Sequence, residues 1–380
     1  MKGGENVSVR KVLIIGGGIG GLTAAIAFRQ QGIEVDLVEL QTSFKVYHVG
    51  IIIQANTIRA MKHIGLADQI VEAGFPYRGV QMCDAQGNVL SHVQGPRIAG
   101  EEYPSDLGMG RPALHKVLTD GVTKERCDVR LGVTFTAIED HGDTVRVSFT
   151  DGETRDYDLV IGADGINSSV RSTLFGEAFK PRFTGQGVWR YNVPRPKGLD
   201  VAALYIGKDC KAGFVPLTEE TMYILLVTAE PGNPMLPQDQ LAGLMRQRLE
   251  GFGGVVGEAR DHYITESDLV VYRPLEAIFL PKPWFKGRVV LLGDAVHATS
   301  PHLGQGAAQA IEDAVVMAEE VGRDQPLETL YRNYMERRYE RCKFVVEASL
   351  MIGEWELTHD PAADHAGIRR QMLETLATPI

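Results

Sequence analysis

Two glycine-rich stretches, far apart in the chain, carry the residue types that hold phosphates. The first, Gly16-Gly17-Gly18-Ile19-Gly20-Gly21, follows the apolar run Lys11 to Ile15 and opens a helix-friendly segment. Gly16 permits a tight turn, Gly18 lets the backbone approach a pyrophosphate, and Gly21 lets helix and strand pack closely. The helix N-terminus then offers N–H groups and a positive dipole end to the phosphates. Glu39, closing the apolar strand Val35 to Val38, is placed to accept hydrogen bonds from ribose hydroxyls. Together these features predict a bound adenine dinucleotide without separating FAD from NAD. A tight strand-to-helix turn holding no ligand is the competing reading.

The second stretch runs Gly293-Asp294-Ala295-Val296-His297-Ala298 and continues as Pro301-His302-Leu303-Gly304-Gln305-Gly306-Ala307-Ala308. A carboxylate at the end of a buried strand, here Asp294, suits a polyol chain such as ribitol. The helix start at Gly304 to Ala308 exposes N–H groups that could stabilise negative charge at N1 and O2 of a reduced flavin. Between the two stretches lies Asp164-Gly165. Asp164 can cap the following helix, and Gly165 tolerates the positive φ of a sharp strand-to-helix turn.

With these three motifs in this order, the chain resembles the single-component FAD-dependent aromatic hydroxylases of the p-hydroxybenzoate, salicylate and 6-hydroxynicotinate monooxygenase type, from about Val9 to Leu350. The resemblance implies that Gly16, Gly18, Gly21 and Glu39 hold the ADP half of FAD. It links Asp164 and Gly165 to both FAD and NAD(P)H, puts Asp294 on the ribityl and pyrophosphate region, and turns Pro301 and Gly304, Gln305, Gly306, Ala307 and Ala308 toward the isoalloxazine ring. Arg111 matches an arginine that contacts the FAD backbone, and the implied cofactor set also includes Ile19, Gly20, Leu40, Lys45 and Phe135. The implied reaction is reduction of FAD by NADH or NADPH, addition of O2 at flavin C4a, and transfer of OH from the hydroperoxide to an electron-rich ring. The chain has no second GxGxxG, since Gly251 to Gly257 has the wrong spacing, so a separate nicotinamide domain is not expected. It has no CxxC, which argues against disulfide reductases. A flavin reductase or dehydrogenase, a two-component epoxidase and a non-catalytic flavin binder remain as alternatives on the same fold.

The chain departs from the family over Val46-Tyr47-His48-Val49-Gly50, where relatives carry an arginine and two glycines. Here Val46 replaces the arginine, with Lys45 beside it, and His48 replaces the first glycine. A phenolic substrate needs its hydroxyl deprotonated, so a base or relay is expected. The candidates are His48, His302, Tyr191, Tyr205, Tyr223 and Tyr272, with ordinary sheet packing as the competing reading for each tyrosine. Arg190 could pair with a substrate carboxylate or simply form a salt bridge, and Pro301 belongs to the substrate side of the flavin-facing loop.

The elements that must position these residues read as follows. Lys11 to Glu39 forms a βαβ unit, which implies a parallel sheet with a right-handed crossover. Helices are predicted over Thr57 to Ile64, from Arg111 with Pro112 in its first turn, over Gln238 to Leu249, and from Leu327 onward. Val129 to Asp156 reads as a small antiparallel set, and Arg182 to Tyr272 as a larger one. The fold class is therefore α/β (α+β overall): a Rossmann-like FAD-binding domain over 1–75, 101–181 and 273–326, split by a mainly antiparallel substrate domain over 76–100 and 182–272, with a helical C-terminal region over 327–380.

Composition agrees with such an enzyme. The 380 residues carry a net charge of −10 with no Lys/Arg-rich run, which argues against nucleic-acid partners. No apolar stretch is long enough to span a bilayer, and Met1 to Asn6 lacks the apolar segment of a signal peptide. The four cysteines, Cys83, Cys127, Cys210 and Cys342, read as reduced thiols with no metal site. A cytoplasmic monomer or homodimer acting on a small aromatic substrate with O2 is the expectation.

Overall fold

A computed structural model describes residues 9–44 and 46–380. Its first sheet has six strands in the order Phe285–Lys286, Val289–Leu291, Leu159–Gly162, Lys11–Ile15, Glu34–Glu39 and Asp128–Leu131, all parallel except the short first edge. The central strands are apolar runs buried on both faces, as parallel strands covered by helices must be. The helices Ile19–Gln30 and Gly306–Gly322 pack against each other over this sheet. A Cβ on Gly20 would lie 3.2 Å from that of Ala310, and one on Gly293 would lie 3.0 Å from it. The two glycine stretches thus meet through the close approach of their helices.

A second sheet of seven strands runs Val271–Ala277, Arg182–Pro194, Thr221–Ala229, Cys210–Pro216, Ala202–Ile206, Val80–Asp84 and Val89–Val93. It is antiparallel except where Ala202–Ile206 meets Val80–Asp84. One of its faces packs on the helices Leu241–Arg248 and Gly254–His262, burying Trp189, Tyr191, Phe214, Ile224 and Leu226. A three-stranded sheet, Gly50–Gln54, Asp106–Gly110 and Phe75–Pro76, lies between the two large sheets. Glycines let it approach closely: a Cβ on Gly50 would strike the Tyr223 ring at 2.0 Å, and one on Gly108 the Pro216 carbonyl oxygen at 2.0 Å.

The C-terminal region is helical as expected, with Leu327–Thr358 packing on helix Gly306–Gly322 and strand Arg182–Pro194, and His365–Ala377 packing against it. The span from Val129 to Asp156 differs from expectation. Its first strand, Asp128–Leu131, joins the parallel sheet beside Glu34–Glu39, and only Phe135–Asp140, Val145–Phe149 and Thr154–Tyr157 form the antiparallel set. Helix Arg111–Lys124 carries the chain from strand Asp106–Gly110 of the small sheet to that edge, and Gly132, at φ +73°, turns it away. The helices Ala67–Ala73 and Gly254–His262 were not anticipated. Among the described residues, no helix is long and apolar enough to cross a membrane.

Candidate active site

The parallel sheet, the antiparallel sheet and the last helix enclose one cleft of about 1060 Å³. Gly17, Gly18, Ile19 and Gly20 line one part of it, and Gly293, Asp294, Pro301, Gly304, Gly306 and Ala307 line another. The glycines divide by job. Gly16 sits at φ +113°, and a Cβ there would meet the Ala163 carbonyl oxygen at 2.4 Å. A Cβ on Gly21 would meet the Gly16 oxygen at 1.9 Å, so both positions serve the turn itself. Gly18 has nothing within 4 Å of its missing Cβ, because that direction opens into the cleft.

Glu39 also lines the cleft. Its Oε2 accepts from Gly17 N at 2.7 Å and its Oε1 from Gln41 N at 2.8 Å, which fixes the carboxylate and leaves lone pairs for hydroxyl donors. Arg111 lines the cleft without an ion pair among the described residues. Asp294 opens onto the cleft, and burial pushes its carboxyl up, against the nearby charges of His297 and Arg111. Gly165, at φ +78°, lines the cleft, whereas Asp164 turns away. Its oxygens accept from Ser168 Oγ at 2.5 Å and from Ser169 N and Val170 N at 2.7 and 3.1 Å, so it caps the helix Ser169–Phe175. These features suit a dinucleotide: open backbone at Gly18, a fixed carboxylate at Glu39, and a free guanidinium at Arg111.

Other residues named from the sequence lie off the cleft. Leu40 points to solvent at 62% exposure, and Phe135 packs against the main core without lining the cleft. Lys45 lies outside the described residues. Gln305 and Ala308 are buried behind the loop, the Gln305 amide bonding Gln54 and Asn56. His48 is exposed, and its carbonyl accepts from Asn192 Nδ2 at 2.8 Å. Tyr191, Tyr205 and Tyr272 face the helix-covered side of the antiparallel sheet, where Tyr272 packs on Trp189 at 4.5 Å between centroids. Of the candidate bases, only Tyr223 and His302 line the cleft. Burial pushes the Tyr223 phenol up, and the Arg190 and Arg111 charges pull it back.

Several cleft residues were not named from the sequence. His115 rests on Phe44 at 4.7 Å between centroids, and burial lowers its pKa. Lys211 sits on the cleft face of its strand, at the same parity as Val215, a signal the alternation Lys211, Gly213, Val215 already carried. Asp106 lines the cleft with its carboxyl pushed up to about 6 by burial, the Ser105 hydrogen bond opposing. Arg369, Met372 and Leu376 bring the last helix onto the cleft.

Behind the second glycine stretch lies a buried polar network. Arg338 donates to Asp313 Oδ1 at 2.7 Å, Glu312 Oε2 at 2.6 Å and Gln309 Oε1 at 2.7 Å. Asp313 Oδ2 accepts from Gly293 N at 2.9 Å and lies 2.6 Å from His297 Nε2. Burial would raise the Asp313 carboxyl, but the His297 and Arg338 charges hold it down at about 2. Arg341 donates to both oxygens of Glu312, and Asn56 bridges Glu312 to Gln305. His297, Asp313 and Cys342 bring donor atoms within 4.8 Å of one another, but the Arg338 guanidinium sits against them as their cation.

Comparison with known proteins agrees with this geometry. The sequence profile of a family described as "FAD binding domain" matches residues 10–349. The chain is 33% identical over 356 residues to 2-heptyl-3-hydroxy-4(1H)-quinolone synthase of Pseudomonas aeruginosa, covering 91% of this chain and 90% of that one. It is 30% identical over 351 residues to 6-hydroxynicotinate 3-monooxygenase of Pseudomonas fluorescens, covering 89% and 90%. A crystal structure of Klebsiella pneumoniae HpxO complexed with FAD and uric acid superposes with a TM-score of 0.87 at 25% identity, covering 99% of this chain and all of that one.

Proposed function

This chain belongs to the FAD-dependent monooxygenase family, and we propose that it hydroxylates a small, anionic aromatic or N-heteroaromatic compound using NAD(P)H and O2. The observation that carries the substrate reading is Arg190. It lines the cleft from the middle of a strand, its guanidinium makes no hydrogen bond or ion pair among the described residues, and its pKa is lowered to about 10 by burial and by Arg111. A guanidinium in that position favours a carboxylate or ring oxyanion as its partner. The relatives named above for hydroxyquinolone and hydroxynicotinate chemistry support the same class.

When bound, FAD supplies the redox and oxygen chemistry. The protein's own residues do the rest. Gly18 and the N-terminus of helix Ile19–Gln30 would receive the pyrophosphate, Glu39 the ribose hydroxyls, and Arg111 and Asp294 the middle of the cofactor. Pro301 and the N-terminus of helix Gly306–Gly322 would take the flavin ring. Ile52, Val215, Leu225, Met372 and Leu376 give the substrate region apolar walls, which exclude water and strengthen the attraction of Arg190 for an anion. In this reading, residues 76–100 and 182–272 roof the site over a flavin held by 1–75, 101–181 and 273–326.

Arg190→Met should therefore raise KM for a hydroxyaromatic carboxylate by roughly 100-fold, as loss of one partner of a buried charge pair does. Flavin content should stay at the wild-type value. The test is NAD(P)H oxidation in air with 4-hydroxybenzoate, 6-hydroxynicotinate and 4-hydroxyquinoline. An unchanged KM for the best of these would remove Arg190 from the substrate site.

A further inference from the structure

We propose that His302 is the base that accepts the hydroxyl proton of the bound substrate through Ser300, and that Glu356 and Lys211 are positioning residues that hold its imidazole in the required tautomer. The proposal rests on the hydroxylase reading above and assigns the deprotonation step within it. Ser300 and His302 both line the cleft, in the loop that leads to Gly304. His302 Nδ1 lies 2.7 Å from Ser300 Oγ, and Nε2 lies 3.2 Å from Glu356 Oε2. A carboxylate only accepts, so Nε2 carries the hydrogen and Nδ1 presents its lone pair to the serine hydroxyl.

The other groups facing the imidazole come from three elements. Lys211, on the antiparallel sheet, donates to Glu356 Oε1 at 2.5 Å, and Gln186 donates to Oε2 at 3.3 Å. Arg369, from the last helix, adds positive charge to the same neighbourhood, and His365 of that helix faces it too. Burial and Lys211 lower the His302 pKa, with Glu356 opposing, so the ring is neutral at neutral pH and ready to accept a proton. Burial alone would raise the Glu356 carboxyl, but its hydrogen bond with His302 and the Lys211 charge hold it down at about 2. Gly353 lets the long helix pack closely on the ring: a Cβ there would lie 3.3 Å from His302 Cε1 and 2.8 Å from Gln186 Oε1.

A route for the proton lies behind the loop. A second cavity of about 400 Å³ is lined by Ser300, Thr184, Gln186 and Ser349, so Ser300 borders both spaces. Thr184 Oγ1, Gln186 Oε1 and Ser349 Oγ are buried there without hydrogen-bond partners among the described residues, which suits ordered water. The step balances simply. The substrate O–H bond breaks, its proton passes to Ser300 Oγ, and the serine's own proton passes to His302 Nδ1. The oxyanion remains in the cleft near Arg190. The imidazolium, paired with Glu356, returns the proton through Ser300 to the second cavity.

The test is the pH dependence of kcat for the best substrate among 4-hydroxybenzoate, 6-hydroxynicotinate and 4-hydroxyquinoline, with the FAD-loaded enzyme. His302→Gln should lower kcat roughly 100-fold at neutral pH, with KM and flavin content unchanged. The loss should shrink as pH rises and the substrate ionises in solution. Lys211→Met removes a charge that depresses the His302 pKa. The wild-type acid limb, where activity falls as pH drops through that pKa, should therefore move to higher pH. A His302→Gln enzyme with the wild-type kcat and profile would overturn the assignment. If that variant loses flavin, an unmoved acid limb in Lys211→Met would overturn it instead. Failure of all three compounds to stimulate NAD(P)H oxidation in the wild type would count against the hydroxylase reading, and the relay would fall with it.

Discussion

Gly18→Val should give a protein that folds normally and emerges colourless. Gly18 has φ −76° and ψ −177°, extended backbone that valine adopts readily, and its side chain would point into open cleft. The fold therefore has no reason to object. The added isopropyl group would occupy the space a pyrophosphate needs beside the helix N-terminus. FAD binding should weaken at least about 100-fold, or about 2.7 kcal/mol, measured by flavin fluorescence on titration of the apoprotein. The thermal midpoint of the apoprotein should match the wild type. Gly21→Val makes the contrast, because its Cβ would overlap the Gly16 oxygen at 1.9 Å and damage the fold itself. Unchanged flavin occupancy in Gly18→Val would place the cofactor elsewhere.

Arg338→Met should cost about 3–5 kcal/mol of stability, because it leaves buried carboxylates without their partner. Arg338 is fully buried and bonds Asp313, Glu312 and Gln309 at once. Arg341 still covers Glu312, so the larger loss falls on Asp313, which fixes Gly293 N and His297. Flavin retention should fall in parallel, since Gly293 precedes Asp294 and Gln305 hangs from the same network through Asn56. The measurements are the thermal midpoint and flavin content after gel filtration. A midpoint equal to that of the wild type would show that the network bears little of the fold's stability.

The cofactor half of this site was legible because its chemistry is local. A strand, a glycine turn and a helix start are contiguous in sequence, and each glycine's role follows from the turn it makes. The substrate half was not, because it is assembled from one face of a sheet. Arg190 and Tyr191 are adjacent on one strand, as are Leu204 with Tyr205 and Tyr272 with Arg273, so each pair points to opposite faces. Period-two alternation forbids Arg190 and Tyr191 from both reaching one cleft, but it does not say which face is which. Tertiary packing on the helices Leu241–Arg248 and Gly254–His262 decides that.

The same alternation would have promoted Lys211 had the cleft face been known. Glu356 was invisible for a different reason. It reaches His302 from a helix 54 residues away, and no local pattern encodes that meeting. Gly50, retained where the family motif is otherwise altered, is explained by the Tyr223 ring that occupies its side-chain space. The exposed His48 beside it has no such partner in the cleft.

The proposed reaction inserts one oxygen atom from O2 into a hydroxyaromatic ring held opposite Arg190. The most direct measurement supplies the FAD-loaded protein with NAD(P)H, its best aromatic substrate and 18O2, and weighs the product by mass spectrometry. One 18O atom per product molecule is the expected result. Consumption of NAD(P)H with all the labelled oxygen recovered as hydrogen peroxide and an unlabelled aromatic would contradict it.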